Sequence, residues 1–455
     1  MRGPPPAISA ARRAPRSSRR RRPRPRPGRA VSTGRRAEAL PDPLDATAVR
    51  RRLHRRPEPG FLEIETADLA WGLLAGLGWR LRGGGDLVDV RDHPGLPSRD
   101  ELDAAVRRAA AQGVAAASVH RFRDGNTAFV AELRGTRPGP LIALRVDMDA
   151  LPIQESRSGG HHPAARGFGS DIDGAMHACG HDGHVAIALR AAALLSDRRF
   201  AGTVRLLFQP AEEGVRGAAP MLAAGLVDDV DVLLAVHLGF GIPDGCVAAA
   251  TELYGTSKLR AEFTGVAAHA SGAPEQGRSA LLAAASAVLG LHALPRYATA
   301  TTRVNVGTLH APGAANIVNA RAVLGAEVRA GGAAEHDDLE RRARDVLHGA
   351  AAMHGVTVDV ARTGWATSAA TDGAILGRIE TLAPGHGLRL LPPRPLRASD
   401  DATLFMRHVQ ERDGLAGYLL VGAGTYGPHH SPTFDLDEAA LAPAADLLAA
   451  LIRSW

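Results

Sequence analysis

The sequence predicts an α/β protein: a discontinuous domain on a mostly parallel sheet, interrupted by a smaller α+β insert. Three observations predict this. At 455 residues the chain is too long for one simple core. Between about residues 141 and 253, apolar runs of strand length alternate with segments of helical period. After about Leu253 the rhythm changes to strand, helix, two strands, helix and strand, which suits a compact α+β unit.

Taken in order, the body begins near Asp45. Its first helix carries Arg51-Arg52-Leu53-His54-Arg55-Arg56 and is broken by Pro57 and Pro59. Leu141 to Val146 reads as a buried strand, with Asp147 and Asp149 at its end; Asp147 is expected merely to cap the loop. His184 to Leu195 has helical period, with Ile187, Leu189 and Leu194 among alanines. A strand at 203–208, a helix near 216–225 and a strand at 230–236 continue the alternation. In the insert, Lys258 to Gly265, Thr301 to Leu309, Ala320 to Arg329 and Val356 to Ala361 read as strands. Arg278 to Leu294 and Ala334 to Met353 read as its helices. From Thr371 the chain returns to helices and one strand, ending in a helix over 437–453. The larger domain is therefore expected at 45–253 and 369–455, around an insert at 254–368, with no internal repeat. Cys246 is expected in a buried strand, and His310, His336, His348 and His354 on solvated faces.

Composition narrows the function classes. Residues 1–37 hold thirteen Arg and no Asp or Glu, so the net charge of +6 hides a remainder near −7 (+6 minus +13). Such a Pro/Arg run cannot bury apolar surface, and residues 1–44 are expected to be a disordered tail without function. Its proline density argues against an amphipathic transit helix. Nucleic acid is accordingly not an expected partner. No stretch approaches the roughly 20 apolar residues that span a membrane. Two cysteines are too few for a disulfide framework, so a reducing, cytoplasmic setting is expected.

The chemistry concentrates in short runs. Met176-His177-Ala178-Cys179-Gly180-His181-Asp182-Gly183-His184 offers a thiol, three imidazoles and a carboxylate. Gln209-Pro210-Ala211-Glu212-Glu213-Gly214 follows an apolar strand with two adjacent carboxylates. Further imidazoles stand in Ala235-Val236-His237-Leu238-Gly239 and in Pro428-His429-His430-Ser431-Pro432. A hydrolytic metal site needs ligands of these kinds plus one carboxylate left to take a proton from water. Cys179, His181, Glu213, His237 and His430 make a set large enough for two metal ions, with Glu212 as the remaining carboxylate. A single His-rich loop or a lone Cys would ordinarily be read as solvated surface or core packing; the recurrence of such residues after apolar strands favours a site.

These runs, with Arg145-Val146-Asp147-Met148-Asp149-Ala150-Leu151-Pro152, closely resemble the M20 metallopeptidases and amidohydrolases from about Arg51 to the C-terminus. Within them the chain is similar to the aminoacylase/carboxypeptidase branch. Gly95-Leu96-Pro97, Glu101 to Gly113, Gly265 to Ala270, Arg303 to Gly307, Ser399 to Thr403 and Trp455 resemble the members that act on p-aminobenzoyl-glutamate. One departure is Ser431 after His429-His430, where those members carry Asn.

The resemblance implies a zinc-peptidase-like catalytic domain with an inserted lid and dimerisation domain. It implies two divalent ions, manganese or zinc, on Cys179, His181, Glu213, His237 and His430. Glu212 matches the general base, and Asp149 the carboxylate that orients the centre. His269 matches the histidine that reaches a neighbouring subunit's site, and Asn316 and Arg329 the pair that holds the substrate's carboxylate. The expected reaction is hydrolysis of the amide in an N-acyl amino acid, p-aminobenzoyl-glutamate foremost, by a homodimer or a heterodimer with a related B-type subunit. The rivals are a general hippurate- or auxin-conjugate-type amidohydrolase and a non-catalytic subunit of the same fold.

Overall fold

The computed structural model describes residues 44–455; apart from Leu44, the expected tail lies outside them. Asp45 caps the first helix, Ala46–His54, by accepting from the N–H groups of Thr47 and Ala48. The strands are β1 (Arg80–Gly83), β2 (Phe129–Arg134), β3 (Arg137–Asp147), β4 (Ala201–Gln209), β5 (Val232–Leu238) and β6 (Cys246–Ala249), then β7 (Gly255–Thr264), β8 (Thr302–His310), β9 (Arg321–Ala330) and β10 (Thr357–Ala366), and finally β11 (Arg389–Leu390) and β12 (Leu415–Val421).

Eight of them form one sheet in the order β1-β2-β4-β3-β5-β12-β6-β11. Its centre, β4-β3-β5-β12, is parallel. Helices on both faces bury it, so β5 is buried at every residue and β3 from Ile142 to Asp147. Because β3, β4 and β5 run the same way, Asp147, Gln209 and His237 emerge along one edge. The expected mostly parallel α/β sheet is the observed one, with antiparallel additions at its margins.

The other four strands make a fully antiparallel sheet, β10-β7-β9-β8. β7 alternates strictly: Leu259, Ala261 and Phe263 enter an apolar core, while Lys258, Arg260 and Glu262 take the opposite face. Helices Ala280–His292 and Ala333–Met353 close that core with Ala283, Ala287, Leu291, Leu339, Ala343 and Leu347, the spacing of one helical stripe.

Some boundaries and assignments differ from expectation. The helix expected from His184 begins at His181, because Gly180 adopts φ +97° and turns the chain directly into it. The helix near 216–225 is only Ala218–Ala223, and β10 extends to Ala366. Helices Ile64–Gly76 and Arg99–Ala111 were not anticipated; the second is announced by a capping box of Ser98 and Glu101. Cys246 is buried in β6 as expected. His336 is not solvated: it is 3% exposed, with its Nε2 3.1 Å from the Ser257 hydroxyl, because β7 presents the small Gly255 against its ring. Asp147 is no loop cap but a buried carboxylate bonded to Arg145. No helix among the described residues is long and apolar enough to cross a membrane.

Candidate metal centre and active site

Four of the five expected ligands sit on or just beyond the shared strand edge, and the loop after β12 supplies the fifth. Cys179 ends a loop pinned by the hydrogen bond from His430 N–H to Ala178 O (2.8 Å), so the two distant motifs are held together. Cys179 Sγ lies 3.5 Å from His237 Nε2. The donor atoms of Cys179, His181 and His237 lie within 4.8 Å of one another, as do those of Cys179, Glu213 and His430, and of His181, Glu212 and Glu213. The expected ligands therefore form two overlapping sets that share Cys179.

The ring orientations fit metal binding. His181 Nδ1 faces Asp149 O at 2.9 Å and His237 Nδ1 faces Leu238 O at 2.9 Å. Each Nδ1–H donates to its carbonyl and turns Nε2 toward the donor set. Burial lowers His181, but Asp147 and Asp149 raise it well above its ordinary range, so a metal there displaces a proton from Nε2. His181 Nε2 and Glu213 Oε1 are buried with no hydrogen-bond partner, as atoms meant for a cation would be. Burial, then His184, holds His237 neutral far below its ordinary range, and burial also lowers His430. Burial, reinforced by Glu213, pushes the Cys179 thiol well up, so metal binding must release a proton here.

Two other acidic groupings are already committed. Asp147, Asp400 and Asp401 all bond to the Arg145 guanidinium, which is 1% exposed. Asp400 also accepts from Tyr418 OH (2.6 Å), and Asp401 from Gln209 Nε2 (2.6 Å). His184 has both nitrogens occupied, Nδ1 on Asp147 (2.6 Å) and Nε2 accepting from Leu238 N–H (3.0 Å).

Asp149 organises the base loop. Its Oδ1 accepts from Glu212 N–H and its Oδ2 from Glu213 N–H, each at 3.0 Å. The loop is strained at both ends, with Ala211 at φ +54° and Val215 at φ +50°, a conformation that a β-branched residue rarely adopts. Glu63 Oε1 holds Ala211 N–H at 2.9 Å, and Trp365 N–H holds Val215 O at 2.7 Å. Burial, then the charge of Asp400 and Glu213, raises Glu212 well above the carboxylate range. That is the direction needed by a group that accepts a proton and later returns it.

Glu63 carries its own consequence. Burial, then Asp149, pushes it up to about 8 from an ordinary 4.5. The folded protein thus keeps a proton that the unfolded chain releases, so this group's contribution to stability falls as pH rises from 4.5 to 8. Glu63→Gln removes that ionisation, and its melting temperature relative to the parent should climb steadily between pH 5 and pH 8 in parallel thermal scans (about 4.5 to 8 being the window). A constant offset across the range would contradict it.

A cavity of about 250 Å³ opens over the donor set, and Arg329, Lys258, Phe240 and His429 also line it. Arg329 forks onto Glu327 through Nε and Nη2. His269 and Asn316 do not line this cavity. They are exposed neighbours, joined by Ala270 N–H donating to Asn316 O (3.0 Å). His269 Nδ1 accepts from Gly272 N–H (3.0 Å), which puts the proton of the neutral ring on Nε2. Sequence reasoning passed over Lys258, His184 and His429. The doubled histidine was the available signal for His429, whose ring stacks on Phe240 at 4.8 Å.

Comparisons with known proteins agree with this geometry. The profile of peptidase family M20/M25/M40 matches residues 143–454. The chain is 43% identical over 415 residues to indole-3-acetyl-aspartic acid hydrolase of Enterobacter agglomerans, covering 89% of this chain and 94% of that one. It is 41% identical over 406 residues to the A-type subunit of p-aminobenzoyl-glutamate hydrolase of Escherichia coli K12, covering 88% and 93%. Among solved structures, an aminobenzoyl-glutamate utilization protein from Klebsiella pneumoniae matches with TM-score 0.77 and 37% identity over 90% of this chain and 95% of that one. A dinuclear metal-binding M20 peptidase from Bacillus subtilis matches with TM-score 0.62 and 25% identity, covering 90% and 97%. The chain belongs to peptidase family M20/M25/M40 and is a metal-dependent amidohydrolase acting on linear amide bonds.

Proposed function

We propose that the protein hydrolyses the amide of p-aminobenzoyl-glutamate, releasing p-aminobenzoate and glutamate. The observation that carries this is one cavity shared by Cys179, Glu213, His237 and His430 with the Arg329 guanidinium, whose Nε and Nη2 meet Glu327 and whose Nη1, without a bond among the described residues, is left for a carboxylate. The named relatives act on aspartate and glutamate conjugates, which supports an acidic amino acid. Cys179, His181, Glu213, His237 and His430 would hold two divalent ions, manganese or zinc. The bound ions would polarise the amide carbonyl and lower the pKa of water. Glu212 takes the proton of the attacking water and delivers it to the leaving nitrogen, while Asp149 keeps Glu212 and Glu213 in register. Arg329 fixes the substrate carboxylate.

Residues 254–368 would act as lid and dimerisation domain. His269 and Asn316, exposed beside Ile317 (49% exposed), would serve the cavity of a second chain, itself or a B-type relative. A cytoplasmic setting agrees with two free cysteines.

The test is hydrolysis of p-aminobenzoyl-glutamate, with hippurate in parallel, by protein supplied with manganese or zinc. A chelator-sensitive preference for the glutamate conjugate is expected, with activity returning when metal is restored. Faster hippurate cleavage would give the site to a general acylase.

A further inference from the structure

The chain has 53 arginines and a single lysine, Lys258. Wherever else a cation is used, on helix faces, in surface pairs and in the buried web, it is a guanidinium. The one ammonium stands in the active-site cavity beside Arg329. It comes from the polar face of β7, half-buried, and its Nζ donates to Glu213 O at 3.1 Å. An ammonium has three N–H donors, and this bond occupies one. Among the described residues it forms no salt bridge, although its charge acts on the Glu213 carboxyl and Glu327 stands opposite it on β9, whereas Arg329 is forked onto Glu327. The cavity thus holds two cations of different kinds: a planar fork, and a compact point charge anchored to the ligand loop.

We propose that Lys258 is the specificity determinant for a second carboxylate, so that the site selects N-acyl derivatives of dicarboxylic amino acids. This rests on the hydrolytic reading above. With the α-carboxylate on Arg329, the side-chain carboxylate of an aspartyl or glutamyl conjugate takes the free donors of Lys258. A neutral or amide side chain leaves that ammonium without an anion.

The first arm compares kcat/KM for p-aminobenzoyl-glutamate and p-aminobenzoyl-glutamine in the parent, Lys258→Met and Lys258→Arg. The glutamate-over-glutamine ratio should fall about tenfold or more in Lys258→Met, the scale of one lost charge-assisted hydrogen bond, and largely survive in Lys258→Arg. An unchanged ratio, with both conjugates losing equally, would overturn the proposal and leave Lys258 as a prop for the Glu213 loop. The second arm measures, by calorimetry, binding of the same two conjugates to Glu212→Gln protein, which keeps them intact, with Lys258 retained or changed to Met. The glutamyl conjugate should bind about tenfold or more tighter than the glutaminyl one only where Lys258 is present; equal binding, or a preference that survives Lys258→Met, would contradict the assignment. A parent that hydrolyses neither conjugate, with binding still discriminating, would sink the proposed reaction and leave the dicarboxylate site standing.

Discussion

Glu212→Gln is expected to lower kcat by roughly 10²–10⁴-fold, the range of general acid–base catalysis, with bound metal retained. The substitution keeps the volume and removes the ability to take a proton. Glu212 donates no side-chain ligand in the proposed ion set, and its backbone N–H would still bond to Asp149 (3.0 Å). The loop that carries Glu213 should therefore stay in place, and metal analysis of the purified variant should match the parent. KM should move little, because Arg329 rather than Glu212 meets the carboxylate. Near-normal turnover at full metal content would remove Glu212 from the reaction. Loss of metal together with turnover would instead make it a ligand.

The largest effect on stability is expected at Arg145. Its guanidinium bonds Asp147, Asp400 (2.9 Å), Asp401 (3.2 Å) and Gln209 (2.9 Å), all buried. Burial alone would raise Asp147, yet Arg145, with His181 and His184, holds it well below the usual carboxylate range. Arg145→Met leaves three buried carboxylates without their cation and should cost about 3–5 kcal/mol. The exposed Arg407–Glu411 pair, four residues apart on a helix, should cost no more than about 0.5 kcal/mol on Arg407→Met. Urea unfolding of the two variants side by side reads this contrast. Comparable midpoints would mean that the web is solvated or protonated rather than ionic.

The reach of the sequence can be judged residue by residue. Glu212, Glu213 and His237 were legible because each follows or ends an apolar run, and a parallel sheet gathers such ends on one edge, whereas Cys179 and His181 were legible from the clustering of donor types in one short run. The insert was legible as an α+β unit from its order of strand and helix runs, while its fully antiparallel pairing was not read from the sequence. Asp147 was misread because its cation, Arg145, stands two positions back on the same strand, and the carboxylates that share it, Asp400 and Asp401, lie more than 250 positions away. His336 was misread because the groove that buries it belongs to β7, not to its own helix.

Local chemistry thus settled which residues carry donors, which strands are buried and where the chain changes its rhythm. These follow from side-chain type and period, which act over a few residues. Contacts between distant segments settled the rest: that Cys179 is common to two donor sets, that Arg145 has already claimed three of the acids, that His269 and Asn316 stand outside the cavity, and that Lys258 stands inside it. The physical reason is that burial and charge pairing depend on distance in space. The fold sets those distances between segments that the sequence keeps far apart.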